Sequence, residues 1–154
     1  LEKLDYGHNS KIKTFNDFDQ IPKDIKFDLI YTFDVLEHVS NPYKLNKDII
    51  NFCNQDTIII HSIDLTSHYH GNNTINAFKH YLYNDNLWKL MTSNRSSFTN
   101  RIRSQEWHQL FEKFFHVIVF EEIDHPLKEK ILHKFKLLRN NDTISRVNVS
   151  MRAR

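Results

Sequence analysis

The 154-residue chain is short of the residues that punctuate or cross-link a fold, with one Cys, two Gly and three Pro. A single thiol, Cys53, excludes a disulfide framework, so a reducing and therefore cytoplasmic setting is expected. Gly7 and Gly71 do not form a Gly-x-Gly turn, the device that lets a backbone come close to a cofactor after a strand. No apolar stretch approaches the ~20 residues of a membrane span. The net charge of +2 is too small to imply a membrane surface or a nucleic acid as partner. What the chain has in quantity is apolar bulk, 40% hydrophobic and 13% aromatic, which is enough for one buried core and excludes whole-chain disorder.

The most informative stretch runs from Phe27 to Pro42, FDLIYTFDVLEHVSNP. Phe27, Leu29, Ile30, Tyr31 and Phe33 make a nearly continuous apolar run, the pattern of a parallel strand covered on both faces by helices. A polar turn carrying Asp34, Glu37 and His38 follows directly, and in open α/β sheets ligands bind at such strand ends. Asp34 stands three residues before Glu37 and is expected to cap a helical turn, with Glu37 reaching back. Asn41 and Pro42 are expected to start the next helix as N-cap and first helical residue, with Leu45, Ile49 and Phe52 as its apolar stripe towards Cys53. Asp56 to Asp64 reads as a second buried strand around Ile58, Ile59 and Ile60.

The strand and loop FDLIYTFDVLEHVSNP resemble the fourth strand and following loop of class I S-adenosylmethionine-dependent methyltransferases. Upstream, Asp17, Ile21 and Pro22 match the Asp-x-x-x-Leu-Pro of that family, whose Asp hydrogen-bonds the adenine amino group of the cofactor. The likeness continues through DTIIIHSIDL and ISRVNVSMRAR, covering the chain from about Lys11 onward. It implies an α/β fold: a Rossmann-like methyltransferase sheet, mostly parallel, in which an antiparallel final strand inserts between the fifth and sixth. It also implies S-adenosylmethionine as cofactor, with Asp17, Phe18, Phe33, Asp34 and His38 on the cofactor side. The glycine-rich loop and the acidic residue after the second strand, both expected upstream in this family, have no counterpart here, and Leu1 is not an initiator Met. Residues 1–154 therefore read as an N-terminally truncated, partial methyltransferase domain, expected to bind cofactor weakly or not at all by itself.

Leu1 to Ser10 is expected to be a helix end with a turn at Gly7, and Lys11 to Phe15 a short strand. Residues 65–103 are too long for a plain connection and read as a helical insertion or lid, with Ile75, Phe78, Leu82, Leu87, Trp88 and Met91 on apolar faces. Ser104 is expected to cap a helix bearing Trp107, Leu110, Phe111 and Phe114. A strand at Phe115 to Glu122, a helix carrying Leu127, Ile131, Phe135 and Leu138, and a half-exposed strand at Ile144 to Arg152 complete the order. If the first two family strands are missing, the bared sheet edge becomes a template for self-association.

For catalysis the expected residues are His61, at the end of the Ile-rich strand, and His38, each able to help remove a proton from an acceptor. Asp64 either orients His61 or starts a turn. The set His61, Asp64, His68 and His70 has the look of a metal cluster, but a polar loop gives no compact dry site, so no metal is expected. SNRSSFTNRIRSQEW resembles a polar segment of some bacterial members of the superfamily. Arg95, Arg101 and Arg103 would then meet a carboxylate or phosphate on the acceptor, the alternative being pairing with surface acids. The lysines of the helix at 128–139 read as a solvated face, and neither a nucleic acid nor a membrane is expected as partner. The expected function is methyl transfer to a small or saccharide-linked acceptor; the competing reading is a non-catalytic binding or scaffolding domain.

Overall fold

Three isoleucines in a row, Ile58, Ile59 and Ile60, open the strand around which the rest is arranged. The computed structural model describes residues 12–68, 74–92 and 98–154. In chain order the regular elements are β1 (Leu29–Phe33), α1 (Pro42–Ile50), β2 (Ile58–Asp64), α2 (Asp85–Thr92), α3 (Ser104–Glu112), β3 (Phe115–Asp124), α4 (Lys128–Lys134) and β4 (Ile144–Ala153). The sheet order is β1-β2-β4-β3. β1 and β2 are parallel, with Leu29 opposite Ile58 and Phe33 opposite Ser62. β4 runs antiparallel to both neighbours. This is the expected topology, the last strand inserted between the two that precede it.

One face of the sheet is covered and the other is not. Ile59, Ile63, Val147, Val149 and Met151 pack under Ile49 of α1 and Trp107 and Phe111 of α3. On the opposite face Leu29, Tyr31 and Phe33 are 51, 73 and 66% exposed. The expectation that β1 is buried on both faces is therefore corrected, because α1 and α3 lie on the same side and no described element covers the other. Residues 12–15 carry no strand, contrary to expectation, and the proposed helix end at Leu1 to Ser10 lies outside the described residues.

Local signals held where the partners are neighbours. Asn41 Oδ1 accepts the Lys44 N–H at 3.0 Å with Pro42 at the first helical position. Ser104 is not a cap: it is the first residue of α3, its hydroxyl donates to Glu122, and Glu106 instead accepts the Arg103 N–H at 2.8 Å. Between β2 and α3, 3-10 turns at Thr74–Asn76 and Lys79–Leu82 precede α2. Ala77 and Phe78 there form a second small core with Ile131 and Leu138, which packs this stretch against the C-terminal segment. No helix among the described residues is long and apolar enough to cross a membrane.

Candidate functional site

β1 ends in a kink. Asp34 takes φ 52°, a left-handed backbone unusual for a non-glycine residue, and donates its N–H to the Ser62 carbonyl at 2.9 Å. The expected Asp34–Glu37 capping box does not form. Instead the Asp34 carboxylate accepts from both terminal nitrogens of Arg146, at 2.5 and 3.4 Å. Arg146 also donates to Ser62 Oγ and lies 5.0 Å over the Phe33 ring. Phe33 and Asp34, expected on the cofactor side, are thus bridged to β4 by one guanidinium.

The next turn, Leu36–His38, is a 3-10 turn clamped from above by residues 98–100. The Asn100 N–H donates to the Glu37 carbonyl at 2.8 Å, and its side-chain amide donates to the Leu36 and Val39 carbonyls. The clamp leaves Glu37 only 2% exposed, and neither carboxylate oxygen has a hydrogen-bond partner among the described residues. Burial pushes its carboxyl up to about 7. His38 sits beside it, its Nε2 3.8 Å from Glu37 Oε1 and its Nδ1 2.5 Å from the Phe98 carbonyl. The His38 and His68 rings meet edge to face at 5.0 Å, and His68 Nε2 is 3.7 Å from Asp64 Oδ2. The other oxygen of Asp64 accepts the Thr66 N–H and hydroxyl, so Asp64 does start a turn and does not orient His61.

His61 faces the other way. It is fully buried on the covered face, its Nδ1 2.9 Å from Thr32 Oγ1 and its ring stacked on Phe111. Desolvation lowers its pKa to about 4. Expected at the strand end towards substrate, it is a core residue, because the two-residue period of β2 aligns it with Ile59 and Ile63. Arg101 and Arg103 are also engaged. Arg101 donates to the His80 and Tyr83 carbonyls and pairs with Asp85, while Arg103 pairs with buried Asp142 at 2.9 Å. The surface-acid alternative thus describes Arg101, and Arg103 takes a buried acid. Arg95 and His70 lie outside the described residues.

Asp17 and Phe18 line a separate cavity of about 430 Å³ with Lys23, Lys44, Asp48 and Phe52, Phe18 stacking on Phe52 at 5.8 Å. Asp34 is not among its lining residues. Sequence reasoning favoured Glu37 as a capping partner over an acid or base. Its burial depends on a segment some sixty residues away, as in the His38–Phe98 contact with its separation of 60, and no local signal carries that.

A family model described as a methyltransferase domain matches residues 3–125. No curated protein is significantly similar in sequence. Among solved structures, a candidate methyltransferase of Bacillus halodurans is 12% identical with a TM-score of 0.50, over 88% of this chain and 68% of its own. A candidate methyltransferase of Haloferax volcanii, solved with a methyltransferase activator, is 13% identical with a TM-score of 0.50 over 89% of this chain. The 4+2 cyclase SpnF is 11% identical with the same TM-score over 89% of this chain. The chain spans only 58% and 53% of the latter two structures. At such identities the likeness concerns the fold, and the cyclase illustrates that one fold hosts different reactions. The family match and the shared strand order agree, and the chain belongs to the methyltransferase domain family.

Proposed function

We propose that this domain, completed by residues upstream of Leu1, transfers a methyl group from S-adenosylmethionine to a small or saccharide-linked acceptor. The observation that carries the proposal is the parallel β1–β2 pair with polar turns at both carboxyl ends, where open α/β sheets bind ligands. The cofactor would supply an electrophilic methyl on sulfur. Of the residues present, Asp17 and Phe18 fit the adenine end: an acid near Lys44 and a ring border a cavity of about 430 Å³, in the range of small-molecule sites. The methionine end has no matching donors here, since Asp34 is already paired with Arg146 and the chain has no glycine-rich turn. Phe33 and His38 remain cofactor-side candidates by their positions at and just after the end of β1.

The acceptor is assigned to the space between the β1 and β2 turns. There Glu37, titrating near neutrality, and His38 are suited to take a proton from a hydroxyl. His61 is withdrawn from the proposed chemistry because it is enclosed in the core. Arg101 and Arg103 act as braces of the acceptor side rather than as anion ligands.

Calorimetric titration with S-adenosylhomocysteine of the protein extended upstream tests this reading. Saturable binding, weakened about tenfold or more by Asp17→Ala, is the expected result, roughly one lost charged hydrogen bond. A folded sample giving no heat rejects it. The pairing of Asp34 with Arg146 favours one second reading, a scaffold that keeps the fold without the cofactor. Coding sequence upstream of Leu1 separates the two, because an apolar strand ending in Gly-x-Gly belongs to the enzyme alone.

A further inference from the structure

Glu37 presents a physical problem that the fold alone does not resolve. Its carboxylate is buried, both oxygens lack hydrogen-bond partners among the described residues, and an ionised carboxylate in that condition is strongly unfavourable without a compensating positive charge. The nearby cations are committed elsewhere, Arg101 to two backbone carbonyls and Asp85, and Arg146 to Asp34 and Ser62. What does face Glu37 is a pair of imidazoles. One donor atom from each of Glu37, His38 and His68 lies within 4.8 Å of the others. Donors bound at ~2.1 Å to a shared ion stand at most ~4.2 Å apart, so the set is slightly open and closes with a small side-chain adjustment.

We propose that Glu37, His38 and His68 form a site for one divalent transition-metal ion, Zn²⁺ by ligand chemistry, at the carboxyl ends of β1 and β2. Two imidazoles and a carboxylate are the donor set of zinc and related ions, whereas Mg²⁺ and Ca²⁺ call for oxygen ligands throughout. The surroundings are those of a ligating histidine. The Phe98 carbonyl, 2.5 Å from His38 Nδ1, accepts a hydrogen bond from the Nδ1–H, which leaves Nε2, 3.8 Å from Glu37 Oε1, as the ligating nitrogen. Asp64 Oδ2 lies 3.7 Å from His68 Nε2, longer than a hydrogen bond but near enough to attract the ring when it carries a positive charge.

Three protein ligands leave a position open. An acceptor hydroxyl occupying it would be polarised, its proton passing to the Asp64 carboxylate beside His68, with Glu37 and His38 then serving as ligands in place of bases. That role rests on the methyl-transfer reading; the ion site itself does not.

The test is titration of the metal-stripped full chain with Co²⁺, followed by visible absorption, and displacement by Zn²⁺. One equivalent is expected to bind, with affinity reduced at least ~10-fold in Glu37→Gln, His38→Ala and His68→Ala, as for loss of a ligand or its support. His116→Ala, an exposed position on β3, should bind as the parent does. Should the buried substitutions fail to fold by circular dichroism, His68→Ala decides, since that side chain is 36% exposed. Absence of saturable binding, or unchanged affinity in His68→Ala, overturns the site. Co²⁺ binding without S-adenosylhomocysteine binding in the extended protein would reject methyl transfer and leave the ion site standing.

Discussion

His61 and His80 are imidazoles kept neutral by burial, desolvation lowering their pKa values to about 4 and about 3. In the unfolded chain both titrate near 6.5. Below that pH the unfolded state takes up protons that the native state refuses, so their contribution is complete above pH 6.5 and declines as pH falls towards 4. At pH 5 the loss is about 2 kcal/mol per imidazole. Urea denaturation of the parent and of His61→Leu at pH 7.5 and 5 measures it. The variant should lose about 2 kcal/mol less between the two pH values, and an identical loss in both proteins would show that His61 is not the titrating group. At this scale the sequence was legible in residue type and not in role. His61 looked like a base because it ends an apolar run, yet strand period turned it into the core; Glu37 looked like a cap, yet a remote segment buried it.

The elements themselves were readable because their signals are local. The apolar runs of β1 and β2, the stripe of α3 and the alternation of β4 each place one face against the core without reference to distant residues. Asn41 is the clearest case, an N-cap whose partner is three residues on. Its replacement by Ala should cost about 1 kcal/mol in chemical denaturation, while Asn41→Ser should be nearly neutral. An unaltered Asn41→Ala midpoint would mean that α1 is held by packing alone. The caps expected at Asp34 and Ser104 failed for the opposite reason. Their side chains were taken by Arg146, 112 residues away, and by Glu122, on a neighbouring strand. A charged partner in a partly buried site outcompetes a backbone N–H for the same oxygen.

For the molecule as a whole, the dominant feature is a sheet with, among the described residues, one bare face and a bare edge. Leu29, Tyr31, Ile60 and Val119 are exposed on that face, and β1 has no described neighbour on its outer side. Contiguous apolar surface and an unpaired edge both favour association. This chain should therefore show a mass that grows with concentration in light scattering, and Leu29→Lys with Tyr31→Lys should suppress the growth. A monomer that persists at high concentration would contradict the expectation of a bared central strand.

Hydrophobic period and near-neighbour caps determined most of the elements by themselves, because each depends on residues close in sequence or on one face of one strand; the Phe27 to Pro42 motif pointed to the family, and the place of the last strand was implied by that resemblance. The candidate site was decided only by tertiary structure. Glu37, His38 and His68 meet because residues 98–100 close over one turn and β2 delivers the other, and long-range contacts of that kind leave no periodicity for a sequence to display.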